Sequence, residues 1–204
     1  MKKLSFVKPN LFLPDEIVIV GSSKILLKKK YGIKINDANF VVRFNFPTIS
    51  GFEEFVGSQT SLMVINNHVY QSFIRDGKKN DESKNFLVIS PYLENKDVNR
   101  PNLFFFEKKI NQFFLALRFV KSFDIFIDLI KILIKKNFSI GFCFILLCVS
   151  SGINLKIFGF DLDENMEKRE HYHQKLPIGG RHNLVLEHLV LKKLDKNKQI
   201  LNIN

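Results

Sequence analysis

IVIVGSSKILLKKKYGIKINDANFVVRFNFPTISGFEEFVGSQT, residues 17–60, is the stretch that decides the fold of this chain. Its first four residues are β-branched and apolar, and they run directly into Gly21, Ser22 and Ser23. This pattern is typical of a buried parallel strand that ends in a turn opening a helix. Such a turn is expected to present backbone N–H groups and hydroxyls to an anion. The stretch therefore predicts a nucleotide-binding half of an α/β domain.

The next predicted strand, residues 40–44, places Arg43 and then Asn45 at its carboxyl end. Ligands of open α/β sheets bind at that edge, so a cation and a side-chain amide are expected beside the first turn. Residues 1–16 are predicted to form an irregular N-terminal arm. Further strands are predicted at 61–66, 86–90, 103–106 and 155–160, with helices over 22–31 and 67–76.

Composition limits the kinds of protein that the chain can be. Its 204 residues suffice for one α/β domain, and a hydrophobic fraction of 46% with 22 Phe residues indicates a globular chain. A formal net charge of +11 favours an anionic partner, namely a nucleotide phosphate, an acidic sugar, an anionic membrane surface or nucleic acid. No nucleic-acid-binding motif is found in the sequence, so nucleic acid is not expected as a partner.

The two cysteines and the apolar segments bear on localisation. Cys143 and Cys148 lie inside one apolar run and are predicted to be buried thiols, as in a reducing compartment. The basic N-terminus resembles the start of a signal peptide, but charged residues and prolines interrupt the apolar segment next to it. The longest uncharged run, 137–155, is strongly apolar only over 142–149. We therefore expect a cytoplasmic protein without a transmembrane helix.

Residues 108–136 mix bulky apolar side chains at three- and four-residue steps with lysines. This spacing favours one or two amphipathic helices that pack on the sheet and expose a lysine face. The alternative is a peripheral contact with an anionic surface, such as that of the inner membrane, because aromatic and aliphatic residues beside lysines suit anionic lipid.

Four ordered motifs carry a resemblance to a known family. They read VGSS at 20–23, YGIKI at 31–35, VVRFN at 41–45 and GFEEFVGSQT at 51–60. Together they resemble the large sialyl motif of the animal-type sialyltransferases, glycosyltransferase family 29. One departure matters, because Ser22 stands where the family usually has an asparagine that contacts the donor phosphate. In this chain the contact must be weaker or must be made by the hydroxyl.

A second block, SIGFCFILLCVSSGINLKIFGF, begins at Ser139. Its opening residues, Ser139, Ile140 and Gly141, predict a turn that starts a buried helix, which gives way near Gly152 to the strand at 155–160. The block resembles the family's small sialyl motif, which implies that Ser139 and the backbone of Gly141 hydrogen-bond the donor. Animal members join the two motifs by a disulfide, whereas Ile17 and Gly152 occupy the equivalent places here.

Two short histidine motifs lie nearer the C-terminus, HYHQ from His171 and HNLVLE from His182. Composition alone leaves open whether such histidines are exposed or functional. They resemble the family's third and very small motifs, which implies His182 as the general base for the acceptor hydroxyl and His171 as a donor to the leaving phosphate. Imidazole can do either task near neutral pH. Tyr172 joins the donor site by the same resemblance, and Glu187 is expected to form an ion pair or a helix cap.

Asp161 and Asp163 spell the D-x-D pattern of metal-dependent glycosyltransferases, in which two carboxylates hold a divalent ion against a sugar-nucleotide diphosphate. Aspartates are also common in turns after strands. The family resemblance implies that neither a metal nor a cofactor is needed, because a leaving nucleotide monophosphate can be stabilised by histidine, serine and backbone N–H groups.

The resemblance implies a single domain over residues 1–204, with the family region at 17–190. It would be an α/β, GT-A-like sialyltransferase variant whose mostly parallel sheet is flanked by helices. The implied reaction is an inverting transfer of sialic acid or a related nonulosonic acid from a CMP-activated donor to a glycan hydroxyl. The basic charge and the absence of a recognisable export signal lead to the hypothesis of lipopolysaccharide or capsule synthesis. The implied donor-binding residues are Gly21, Ser22, Ser23, Asn45, Ser139, Ile140, Gly141 and Tyr172. There are two alternatives. The first is a metal-dependent transferase that uses Asp161 and Asp163, and the second is a non-catalytic nucleotide- or glycan-binding module.

Overall fold

A computed structural model describes residues 1–3, 7–8, 10–75, 85–90, 103–107, 139–162, 170–177 and 184–204. The described strands are β1 (Lys2–Lys3), β2 (Val7–Lys8), β3 (Phe12–Leu13), β4 (Glu16–Val20), β5 (Val41–Phe44), β6 (Leu62–Asn66), β7 (Asn85–Ser90), β8 (Leu103–Glu107), β9 (Asn154–Phe158), β10 (Glu170–His171), β11 (Gln174–Pro177) and β12 (Leu201–Asn202). The described helices are a 3-10 helix (Lys24–Lys28), α1 (Gly32–Asn36), α2 (Glu53–Val56), α3 (Asn67–Arg75), α4 (Ile140–Ser150) and α5 (Leu184–Lys196).

One eight-stranded sheet organises these elements, in the order β12-β9-β4-β5-β6-β7-β8-β2. Each neighbouring pair is parallel except β2 and β8, which run antiparallel at one edge. The predicted mostly parallel α/β sheet is therefore confirmed. The strand order moves outward from β4 to β8 and returns to β9 on the other side of β4. In such a sheet the crevice at this reversal, beyond the carboxyl ends of β4 and β9, is where ligands bind.

Alternating side chains of each central strand reach two separate layers. In β4, Ile17 and Ile19 belong to the core cluster that also contains buried residues of α4 and α5. Val18 and Val20 pack on the opposite face, with residues of the 3-10 helix and α1. Strands buried on both faces explain the nearly continuous apolar runs in the sequence. Helix α4 is buried along residues 141–149, as expected of a helix that is apolar all round.

Two local predictions were wrong. The N-terminal arm is not wholly irregular, because it contributes β1, β2 and β3, and β2 pairs with β8. Residues 22–31 do not form one helix. The 3-10 helix there has only five residues and ends at Lys29, whose backbone is extended with φ −145° and ψ 149°. Tyr31 is then buried in the core, and Gly32 begins α1. A Cβ on Gly32 would lie 2.1 Å from the carbonyl oxygen of Glu53, so tertiary packing separates the two helices.

The remaining strand predictions agree with the structure to within two residues at each end, and α3 matches the predicted helix over 67–76. The predicted amphipathic segment at 108–136 lies outside the described residues. Cys143 and Cys148 are buried free thiols, as predicted. Within the described ranges, none of the helices has both the length and the apolar character required to cross a membrane.

Candidate active site

The turn after β4 is fastened to the end of β9. The N–H of Gly21 donates to the carbonyl of Phe158 at 2.7 Å, and the N–H of Ser23 donates to that of Gly159 at 3.2 Å. A Cβ on Gly21 would lie 2.5 Å from the Gly159 oxygen, so the close approach requires glycine. The expectation that this turn leaves its amides open to an anion is thus wrong for residues 21 and 23, because the neighbouring strand binds both.

Phe160 brings together the two glycine turns that the sequence singled out. A Cβ on Gly21 would lie 3.0 Å from one edge of its ring, and a Cβ on Gly141 would lie 3.6 Å from another. The ring also packs edge-to-face against Phe44 at the end of β5, with centroids 6.4 Å apart. The turn after β4 and the start of α4 therefore meet around one aromatic side chain at the carboxyl edge of the sheet.

Helix α4 begins at a half-buried polar cap. The hydroxyl oxygen of Ser139 accepts from the N–H of Phe142 at 3.2 Å, and the hydroxyl itself donates to Glu187 Oε2 at 2.6 Å. Glu187 Oε1 accepts from the backbone N–H of Ser139 at 2.7 Å. Glu187 is buried, with only 2% of its surface exposed. Glu187 thus stabilises a helix cap, but at the start of α4 and not in its own helix, where the sequence predicted that role. The first amides of α4, at Ile140 and Gly141, lack carbonyl partners within the helix because of its geometry.

His171 lies directly against the first turn. Its Nδ1 is 2.6 Å from the hydroxyl oxygen of Ser22, and Ser23 forms an isolated β-bridge with the same residue. Its ring stacks on that of His173 with centroids 5.4 Å apart. Burial lowers the pKa of His171 below its ordinary value, and a hydrogen bond to the Ser22 backbone opposes that shift. Burial, and then the charge of His171, lower the pKa of His173. The structure therefore favours neutral imidazoles at neutral pH.

Tyr172 is a buried anchor of the β10–β11 hairpin. Its hydroxyl donates to the carbonyl of Thr48 at 2.8 Å, and its N–H donates to the carbonyl of Ser22 at 2.9 Å. Its ring packs edge-to-face on Phe52. These contacts fix the position of neighbouring His171 beside the turn.

Asn45 lies at the carboxyl end of β5 in a left-handed conformation, with φ 52°. Its side-chain oxygen accepts from the N–H of Asn66 at 3.1 Å, where β6 ends. Asparagine tolerates this backbone region better than most residues do. The residue is exposed, so the structure places an amide group at the edge where the sequence predicted one.

Arg43 does not supply the cation predicted at this edge. The side chain is fully buried, and its guanidinium donates to the carbonyls of Val56, Gly57 and Gln59 and to the hydroxyl of Thr60, at 2.7–3.1 Å. Burial lowers its pKa to about 10, which still leaves it charged at neutral pH. Arg43 holds the loop after α2 against β5, because its position in the strand directs it to the face opposite α4 and away from the edge.

Some predicted residues lie outside the described part of the chain. His182 and Asp163 belong to this group, and His182 precedes the first residue of α5 by two positions in the sequence. Asp161 is described and is half-buried just beyond β9. The described residues contain no group of three His, Cys, Asp or Glu side chains that could hold a metal ion.

Sequence reasoning missed the role of Phe160, which it treated as the end of a strand. The sequence signal for this role of Phe160 is the glycine before it, Gly159. Gly159 has a φ of 71° and turns the chain directly beside Gly21. The reasoning also missed that Ser22 would contact His171, because 149 positions separate the two residues.

The comparison with protein families decides the assignment. The sequence model of Glycosyltransferase family 29 (sialyltransferase) matches residues 15–136, which is more than half of the chain. The chain belongs to glycosyltransferase family 29. The match includes the first turn, β5 and Asn45 of the site just described. It ends before the start of α4 and the histidine motifs, so their place in this family 29 protein rests on the structure and on the motif resemblance.

Curated relatives of this family 29 chain include sialyltransferases of mammals. The human CMP-N-acetylneuraminate-beta-1,4-galactoside alpha-2,3-sialyltransferase is 43% identical over 47 residues, which is 23% of this chain and 12% of the human protein. The rat enzyme of the same name is 40% identical over 47 residues, or 13% of its length. The matched segment thus spans about an eighth of these relatives' length.

Most of the chain also has a structural counterpart among solved structures. The crystal structure of a mammalian sialyltransferase in complex with Gal-beta-1-3GalNAc-ortho-nitrophenol matches 92% of this family 29 chain and 68% of its own, with a TM-score of 0.63 at 15% identity. This similarity shows a shared fold, including the parallel sheet that carries the candidate site.

Proposed function

We propose that this protein transfers sialic acid or a related nonulosonic acid from a CMP-linked donor to a glycan hydroxyl, with inversion at the anomeric carbon. The observation that carries the proposal is the meeting of the Ser22 turn, the start of α4 and His171 at the carboxyl edge of the sheet. Family membership supports the same reaction. A net charge of +11 suits a substrate whose phosphate and carboxylate are both negative.

In this proposal the donor phosphate lies between His171 and the amino-terminal end of α4. The amides of Ile140 and Gly141 point toward an anion at the helix start, where the helix dipole also favours negative charge. The ring of His171 donates to a phosphate oxygen, and exposed Asn45 offers its amide at the neighbouring strand end. The site uses no strong cation from Arg43, because that guanidinium is committed to the loop after α2.

In the same proposal, four of the predicted donor-site residues act by maintaining the structure of the site. Gly21 permits the close approach of the turn to β9, and Ser23 caps the 3-10 helix by accepting from the N–H of Ile25 at 3.3 Å. Ser139 shapes the start of α4, because its hydroxyl donates to Glu187. Tyr172 holds His171 in place through its bond to Thr48.

The reaction is a single displacement. The acceptor oxygen attacks the anomeric carbon, the bond from that carbon to the phosphate oxygen breaks, and its electron pair leaves with CMP. His182 takes the proton of the acceptor hydroxyl as general base, and His171 stabilises the negative charge on the leaving phosphate. No metal is required in this scheme, since the leaving group carries one phosphate.

Replacing His182 by Ala tests the assignment of the base. We expect loss of transfer from a CMP-sialic acid to a galactoside, with CMP affinity within about threefold of wild type, because a base that touches only the acceptor contributes to turnover. His171→Ala should weaken CMP binding and lower turnover together. A folded His182→Ala protein that no longer binds CMP would contradict the base role, and full activity of His171→Ala would contradict the phosphate role.

The acceptor and the location are part of the proposal. The basic charge supports work at an anionic surface, and we propose lipopolysaccharide or capsule glycans at the cytoplasmic face of the inner membrane. Sedimentation with vesicles that contain anionic lipid, compared with neutral vesicles, checks the membrane contact. Recovery of the protein in a secreted fraction would rule out this location.

A further inference from the structure

The contact between Ser22 and His171 engages one of the two nitrogens of the imidazole ring. The Ser22 hydroxyl oxygen lies 2.6 Å from His171 Nδ1. At this distance either the hydroxyl donates to an accepting Nδ1, or an Nδ1–H donates to the hydroxyl oxygen, depending on the tautomer of the ring. Because Ser22 engages Nδ1, Nε2 is the ring nitrogen left to face a ligand, and a neutral ring can donate from Nε2 only if Nδ1 accepts from the hydroxyl. An accepting Nδ1 is found only in neutral histidine with its proton on Nε2.

The surroundings of His171 favour the same state. Its ring is half-buried and stacks on His173, so a positive charge on either ring is disfavoured by burial and by the other ring. A neutral histidine can donate to a phosphate only through the nitrogen that carries its proton. Without the hydroxyl as a donor to Nδ1, the neutral ring can carry its proton on Nδ1, toward the Ser22 backbone, and part of the protein would then present a lone pair to the anion.

We infer that Ser22 is a positioning residue, which donates its hydroxyl proton to His171 Nδ1 and so keeps Nε2–H as the donor for an anionic ligand. The inference rests on the proposed function for the identity of that ligand, a nucleotide monophosphate. It also explains how the chain works with serine where its family usually has a phosphate-contacting asparagine. Ser22 acts on the phosphate through His171.

The serine hydroxyl suits this role because it can also change from hydrogen-bond donor to acceptor. If His171 becomes protonated, Nδ1–H donates and the Ser22 oxygen accepts, with Nε2–H still present. In both charge states the same nitrogen therefore offers a proton to the ligand. Alanine would remove this control, while threonine would keep a hydroxyl at the same position.

Ring-nitrogen NMR of histidine-labelled protein at pH 8 tests the tautomer directly, with His171→Asn used to assign the signals. We expect the Nε2–H form in wild type and in Ser22→Thr, and a mixture of tautomers in Ser22→Ala. Ser50→Ala, an exposed serine in a turn, is the matched control and should leave the spectrum unchanged. An Nδ1–H form in wild type, or an unchanged tautomer in Ser22→Ala, would overturn the inference.

Calorimetry with CMP at the same pH tests the consequence for binding. Ser22→Ala should weaken CMP binding by about tenfold, the order of one hydrogen bond to a charged group, and Ser22→Thr should restore most of it. In a His171→Ala background, Ser22→Ala should cause no further loss. An equal loss in that background would show that Ser22 touches the ligand itself. If wild type does not bind CMP, the proposed function fails, while the NMR result still decides the role of Ser22.

Discussion

Glu187→Ala should destabilise the protein more than any surface substitution, because one buried carboxylate fastens α5 to the start of α4. The two carboxylate oxygens accept from the N–H and the O–H of Ser139 at 2.7 and 2.6 Å, and the residue is 2% exposed. Truncation leaves two donors without this acceptor at a half-buried helix start, each worth about 1–3 kcal/mol. Loss of a negative charge at the helix start adds about 0.3–1 kcal/mol. We expect the free energy of unfolding to fall by about 3–4 kcal/mol.

The assay is urea unfolding followed by circular dichroism, with a matched series of variants. Glu187→Gln keeps the shape, one acceptor for the Ser139 N–H and an amide that can donate to the Ser139 oxygen. It loses the charge and the acceptor for the Ser139 O–H, so we expect a fall of about 1–2 kcal/mol. Ser139→Ala removes the hydroxyl partner and completes a double-mutant cycle with Glu187→Ala.

The cycle separates the contact of the Ser139 hydroxyl with Glu187 from the contact of the Ser139 N–H and from other effects of truncating Glu187. Residues that share a hydrogen bond should couple, so the double variant should be less destabilised than the sum of the singles by about 1 kcal/mol or more. Additive single effects, or a fall below about 1 kcal/mol for Glu187→Ala, would refute the view that this carboxylate fixes α5 to α4.

Three further outcomes are expected from the described contacts. Gly21→Ala places a Cβ 2.5 Å from the Gly159 oxygen, so thermal unfolding and CMP calorimetry should show a loss of about 1–3 kcal/mol in stability together with weaker binding. Arg43→Lys cannot reproduce the donors to the loop after α2, and should cost about 3 kcal/mol by urea unfolding while CMP affinity of the folded protein stays unchanged. Because the pKa values of His171 and His173 are lowered in the folded state, the unfolded chain binds protons at higher pH. The free energy of unfolding should therefore fall as the pH drops below 6.5, the ordinary pKa of histidine. The fall should be less steep in His171→Asn. An identical dependence of the unfolding free energy on pH in His171→Asn would contradict this reasoning.

The sheet was predictable because its strands are buried on both faces. Mainly apolar runs followed by glycine, serine or asparagine marked β4, β5 and β6 and their carboxyl ends, so the edge of the sheet that carries the candidate site was predictable from the sequence. The helical turn at Ser139 was predictable for a similar reason, since a serine before a long apolar run is a strong cap signal.

The contacts across the site were not predictable from local patterns. The sequence suggested that Arg43 and the amides of Gly21 and Ser23 would face an anion, but each is bound by protein oxygens instead. Arg43 is buried beside the loop after α2, and the end of β9 lies beside the turn after β4. Both arrangements depend on which elements become neighbours in the fold. Propensity and spacing carry no information on that, whereas the order of parallel strands determines it.

Short elements were the other limit. The 3-10 helix and α1 each contain five residues, too few for helical periodicity to show. Their ends depend on the burial of Tyr31 and on the close approach of Gly32 to the Glu53 carbonyl. Tertiary packing therefore overrode the simple prediction of a single basic helix.

The proposal that this family 29 protein uses a CMP-linked donor is tested most directly by titrating the purified protein with CMP and UDP, with and without magnesium, using calorimetry. The account predicts that CMP binds with the same affinity in magnesium and in EDTA, and that UDP binds at least about tenfold more weakly, a difference of about 1.4 kcal/mol. Magnesium-dependent binding of UDP in preference to CMP would contradict it and would transfer the reaction to Asp161 and Asp163.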